Sequence, residues 1–189
     1  MISGGADWAA ERKRNKGRAR NSNFLGDFSK YASVTVSIDF KVDSINMLGN
    51  EVPRDLVVDF RNSSLAQGGL PWTSVWYNLG TLQGGQDWTT YSITFDPNAE
   101  LKPEGWGGYG AEDPDTFEPI LPEGVTFADV LTNVDELAFT TFVPGFFYGF
   151  TNFDVGVDNI SIEATPIPAP AGLALLAGLG VAGRRRRHA

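Results

Sequence analysis

A chain of 189 residues has room for one domain with its own core, and its net charge of −8 is unevenly placed. Residues 1–30 carry seven Lys/Arg against Asp7, Glu11 and Asp27, and residues 164–189 carry Arg184, Arg185, Arg186 and Arg187 with no acid. The body between them therefore holds twenty carboxylates against Lys41, Arg54, Arg61 and Lys102, a net −16. That field repels phosphate backbones, so no nucleic-acid partner is expected. There is no cysteine and the one histidine is His188, which excludes disulfides, thiol nucleophiles, Ser-His-Asp triads and His- or Cys-based metal sites from the body.

Residues 1–23 form a basic segment around Glu11 to Arg20. They contain no apolar stretch of the roughly 7 to 15 residues found in a signal peptide, so an exported chain would need its signal upstream of Met1. The basic run reads as a solvated loop, with a nucleic-acid or membrane-surface arm as the alternative. From Tyr31 the pattern changes to period two. Val34, Val36, Ile38 and Phe40 alternate with Thr35, Ser37 and Asp39, predicting a half-buried strand. Leu56, Val58 and Phe60 repeat the alternation after the turn-like Asn46 to Pro53, and Val75 to Leu79 predicts a third strand. Trp88, Tyr91, Ile93 and Phe95 make a fourth apolar series, bounded by Gly84-Gly85 and Asp96-Pro97.

Residues 97–124, rich in Pro, Gly and acid, are expected to form a long loop. Thr126, with Asp129 three residues later, predicts a capped short helix over Phe127 to Thr132. Leu137, Phe139 and Thr141 resume the strand pattern. Val155, Val157, Ile160 and Ile162 predict a final strand disturbed at Asp158-Asn159. Residues 24–163 are thus expected to be an all-β, antiparallel β-sandwich with a short helical turn.

Residues 164–189 read as an attachment. Thr165 to Ala171 is a Pro-rich spacer, stiff and unable to pair inside a sheet. Ala171 to Gly183 has no charge and no polar side chain. A bilayer core of about 30 Å needs about 20 apolar helical residues, so this single C-terminal helix is short for the task. The basic cluster Arg184, Arg185, Arg186 and Arg187 can help it span by snorkelling and should stay cytoplasmic as a membrane stop, which faces the body outward. Gly172, Ala174, Ala177, Gly178 and Gly180 let a partner helix approach closely. The order Ile167-Pro168-Ala169-Pro170-Ala171, apolar helix, arginine run resembles the PEP-CTERM sorting domain, and within it the Val-Pro-Leu-Pro-Ala variant. Ile167 and Ala169 replace Val and Leu, and no Glu separates the prolines. The resemblance implies transient inner-membrane insertion, processing by an exosortase-type enzyme as partner, an exopolysaccharide-producing Gram-negative host, and a cell-surface or extracellular destination.

In the body, Asn23 to Phe28 precedes the strand ending Ile38-Asp39-Phe40. With Trp88 to Ile93, Phe127 to Leu137 and Val157 to Ile162, it is similar to laminin IV-type domains, although Phe28 replaces a tryptophan. This resemblance implies a galactose-binding-like, jelly-roll-like sandwich that binds or supports rather than catalyses, with Ser3-Gly4-Gly5 as the remains of an upstream strand. A sugar face sets aromatic rings against pyranose rings, with carboxylates and amides at the hydroxyls. Trp106 and Tyr109, set among glycines, and Trp72 and Trp76 are the candidates; core or rim packing is the alternative for Trp72 and Trp76.

No cofactor is required, and calcium is the one metal the acids could serve. Glu112, Asp113, Asp115 and Glu118 offer hard oxygens close together, as do Asp154 and Asp158. A solvated acidic loop and a turn or bulge at Asp158-Asn159 explain them as well. No catalytic residue is expected: a two-carboxylate glycosidase needs neither His nor Cys, but no pair is marked by spacing or an apolar neighbourhood. The sequence therefore leads to an exported, non-enzymatic surface or matrix protein that could bind extracellular polysaccharide. A secreted carbohydrate-active hydrolase and a protein held in the inner membrane by its C-terminal helix are the alternatives.

Overall fold

Val34, Val36, Ile38, Phe40 and Val42 all point to one side of β1 (Tyr31–Met47), as their alternation requires, and they are buried. The computed structural model describes residues 24–146 and 149–168. β1 is the central strand of the first antiparallel sheet. It pairs with β10 (Asn152–Pro166) on one side and with β5 (Gln86–Phe95) on the other, and the short β2 (Asn50–Glu51) closes a hairpin at its end. The second sheet has the order β6 (Trp106–Tyr109), β4 (Thr73–Leu82), β3 (Arg54–Asn62), β9 (Glu136–Thr140), again antiparallel. A small ribbon pairs β7 (Ala111–Glu112) with β8 (Pro119–Ile120).

The inward faces of the two sheets meet in one core. Val34 and Val36 of β1 pack with Val58 and Phe60 of β3, Val75 of β4 and Phe95 of β5. Helix α1 (Phe127–Leu131) closes one end with Phe127, Val130 and Leu131. Thr126 caps it as expected: its hydroxyl accepts from the Asp129 N–H at 3.1 Å, and the Asp129 carboxylate accepts from the Thr126 N–H at 2.8 Å. The fold is thus mostly β with antiparallel sheets, consistent with a sandwich.

Three details differ from expectation. Residues 97–124 are not one loop but contain β6, β7 and β8. Glycine normally argues against a strand, yet here the Trp76 ring lies on Gly107 and Leu121 lies on Gly108, where a Cβ would collide. Trp88 does not belong with Tyr91, Ile93 and Phe95: it falls on the opposite parity of β5 and faces outward. The last strand runs past residue 163 to Pro166, opposite Tyr31, because an edge strand tolerates proline. The disturbance at Asp158-Asn159 is present as a bulge. Ser37 pairs with Ser161 and Asp39 with Asp158, and Asn159 has a left-handed φ of 49°.

Residues 1–23, Ala169 to Ala171, the expected apolar helix and all four arginines of the expected membrane stop, Arg184, Arg185, Arg186 and Arg187, lie outside the described residues. Of the sorting motif, Ile167 and Pro168 are described; the Ile167 side chain is exposed and its N–H donates to the Lys30 carbonyl at 3.4 Å. Among the described residues no helix is long and apolar enough to cross a membrane.

Candidate functional site

The four aromatic candidates part company. Trp106 is 5% exposed and sits in the core, its ring centroid 4.9 Å from both Phe95 and Phe127, so it offers no free face to a sugar. The glycines that suggest an exposed loop are instead the flat bed on which other residues pack. Trp72, Trp76 and Tyr109 do come together, on the outer face of the second sheet. Asp59 pairs with Trp76, Arg61 with Ser74, and Ser74 with Tyr109, and directly paired residues share a face.

That outer face is closed by its own side chains. The Arg61 guanidinium lies 4.2 Å from the Trp72 ring centroid, and the Trp72 and Tyr109 centroids are 6.3 Å apart. Arg61 Nε donates to Asp59 Oδ2 and its Nη1 to Glu136 Oε1, each at 2.6 Å. Asp59 is fully shielded from solvent, and this burial pushes its carboxyl above the ordinary aspartate range although Arg61 opposes the shift. Ser74 Oγ lies near enough to favour the charged carboxylate but outside hydrogen-bond geometry. With Asp59 Oδ1 and the indole nitrogens of Trp72 and Trp76, it is buried without a hydrogen-bond partner among the described residues. The half-buried rings here serve as a lid over a charged pair.

The first sheet presents the reverse arrangement. Its outer positions form rows of hydroxyls, carboxylates and one indole across β5, β1 and β10. Thr35 and Thr94 hydroxyls are 2.7 Å apart, and those of Ser37 and Ser161 are 2.8 Å apart. Asp39 accepts from Thr90 Oγ1 at 2.6 Å and from Asn159 Nδ2 at 2.7 Å, so the β10 bulge aims an amide at the central strand. Thr90, then Asn159, hold the Asp39 carboxyl below the ordinary aspartate range. Beside this group Trp88 reaches from β5 across Lys41 and lies on Gly156 of β10. A Cβ at Gly156 would stand 2.9 Å from Trp88 Cη2. The indole remains 51% exposed. Flat, supported from below and flanked by Asp39, Asn159 and Thr90, it has the makings of a pyranose-stacking platform. The signal for it is in the sequence: Trp88 is out of step with Tyr91, Ile93 and Phe95.

The calcium candidates do not converge. Asp113 is occupied by its own turn, accepting from the Asp115 N–H at 2.9 Å and the Thr116 N–H at 3.0 Å; Thr116 first, then Asp115, lowers its pKa. Asp154 and Asp158 lie on β10 opposite Ser44 and Asp39. Among the described residues no three of His, Cys, Asp and Glu gather as a metal site. An apolar cleft of about 290 Å³ opens between the sheets, lined by Phe40, Leu56, Leu82, Phe139, Phe153 and Val157. Among the described residues its threonines, Thr140 and Thr141, are the only polar side chains there that could orient a ligand.

Comparison with protein-family models, with curated proteins and with solved structures returned no match for this chain.

Proposed function

We propose that this chain is an exported bacterial surface or matrix protein, sorted through its C-terminal tail. Its body is a non-catalytic, jelly-roll-like sandwich that binds polysaccharide across the outer face of the first sheet. The observation that carries the binding half is Trp88, a flat ring seated on Gly156 and half exposed beside the Asp39–Asn159–Thr90 group. Exposed indoles are costly to leave in water and stack well on sugar rings. The non-catalytic half is supported by the tightly linked carboxylate pair, Asp59 and Glu136. Arg61 neutralises both, and Asp59 has no access to solvent. The sorting half rests on the Pro motif, the apolar segment and the run Arg184, Arg185, Arg186 and Arg187.

A glycan array read with the intact chain and with Trp88→Ala tests this. At least one polysaccharide should bind, and the variant should lose about tenfold in affinity while melting normally. Wild-type protein that binds no glycan would sink the reading. For the tail, mass spectrometry of mature protein should show a C-terminus without Arg184 to Arg187; an intact end would remove the processing step.

A further inference from the structure

The face around Trp88 is far more acidic than a neutral sugar requires. Lys41, beneath the indole, is its one cation among the described residues, and Asp43 holds it at 2.8 Å while Asp87 and Asp154 add their field. Asp158 stands opposite Asp39, and Glu163 opposite Thr35 further along β10. These carboxylates spread along the sheet instead of meeting at one point, as the lack of a converging group among the described residues also indicates. A single bound ion would need convergence, whereas a polymer with repeated positive charges needs spacing. A uronate-bearing polymer would be repelled, and a neutral one could use the carboxylates only as acceptors for its hydroxyls and would gain nothing from their charge. A basic protein would be attracted too and could set an arginine on the ring, but the carboxylates are spaced along three neighbouring strands, as the repeating charges of an extended polymer require.

Resting on the polysaccharide reading above, we infer that the polymer bound across Trp88 carries free amino groups: a β-linked, glucosamine-type chain. Equatorial linkages leave its ring faces flat for the indole, and its ammonium groups pair with the carboxylates along β1, β5 and β10. Asp39 is the best-placed acceptor, since Thr90 and Asn159 fix its orientation and keep it ionised. Its remaining lone pairs can take an ammonium proton.

The test is calorimetric titration of the full chain with three probes: a glucosamine hexamer, its fully N-acetylated counterpart and a neutral β-glucan hexamer. The pH must be low enough to charge the amines and high enough to keep the carboxylates ionised. The glucosamine hexamer should bind about tenfold more tightly than either of the others, the sum of several exposed charge pairs, and should lose that advantage as salt is raised. Trp88→Ala should weaken all three probes. Asp39→Asn, close in shape, should weaken only the amine-bearing one, by a few-fold. Equal binding of the three probes, still dependent on Trp88, overturns the amino-sugar inference and leaves polysaccharide binding standing. Amine-dependent binding that ignores Trp88 reduces the face to plain charge attraction, as for a basic protein, and overturns the inference also. If none of the probes and no other glycan binds, both readings fall.

Discussion

The two outer faces of the sandwich are built from similar residues to opposite effect. On the second sheet Trp72 and Trp76 lie half-buried over Asp59 and Arg61, and several polar atoms are closed off without partners among the described residues. On the first sheet Trp88 lies open, and the polar groups around it bond to one another at the surface. The difference teaches that an aromatic ring on a sheet face is not by itself a ligand site. Only a ring whose face is free, and whose polar neighbours do not depend on it for burial, is open to a ligand. Buried polar groups without partners cost about 1–3 kcal/mol each, so the second face is a structural commitment with little tolerance for change.

The largest effect should come from removing the cation beneath the aromatic lid. Arg61→Ala leaves Asp59 shielded and without its cation, an expected loss of about 3–5 kcal/mol, or roughly 10 °C in melting temperature. Lys41→Ala, in the exposed pair with Asp43, should leave the melting temperature essentially where it is. Equal melting temperatures for the two variants would abolish the contrast between the faces.

The two seating glycines give a second, smaller separation. Gly107→Ala drives a Cβ into the Trp76 ring and should destabilise by about 1–3 kcal/mol through overpacking. Gly156→Ala only lifts the exposed Trp88 ring. It should cost little stability, within about 0.5 kcal/mol, while lowering glycan affinity. Urea denaturation with a parallel binding assay reads both, and a Gly156→Ala variant that binds normally would count against the platform.

The subtlest distinction is in titration. Asp59 is raised above the ordinary aspartate value of 3.8, so the stability it contributes is present below that value and lost as pH rises through its folded pKa. Asp39 is lowered, so its contribution is present above 3.8 and lost as pH falls through its folded pKa. Carbon-13 carboxyl shifts followed from neutral to acid pH should therefore show Asp59 protonating first and Asp39 later. The reverse order would mean that Asp59 is solvated.

Much of the scaffold can be read from the chain because its signals are local. The alternation of Val34 to Phe40, the Thr126–Asp129 cap and the Asp158-Asn159 disturbance all appear as expected, whereas β3 is a strand as expected but is buried on both faces from Leu56 to Phe60. Strand β6 is hidden from such a reading because Trp-Gly-Gly-Tyr has low strand propensity, and only the partners Trp76 and Leu121, distant in sequence, make glycine necessary there. Trp106 is misplaced for the same reason. The aromatic gathering of Trp72, Trp76 and Tyr109 is legible in its members but not in its function as a lid, since burial of Asp59 depends on pairings between several strands. Trp88 is available from parity alone, and its apolar neighbours mask it.

The pairing of β10 with β1 along its whole length has a mechanical consequence. Tension on the chain beyond Pro166, directed along the strand, loads that ladder in shear, so its rungs must slip together. A sideways pull would peel them one at a time. β1 also carries Asp39 and Lys41 at the middle of the proposed binding face, so a body held by its C-terminal end and bound there would pass load between the two within one sheet. The second sheet and the core stand outside that line of force.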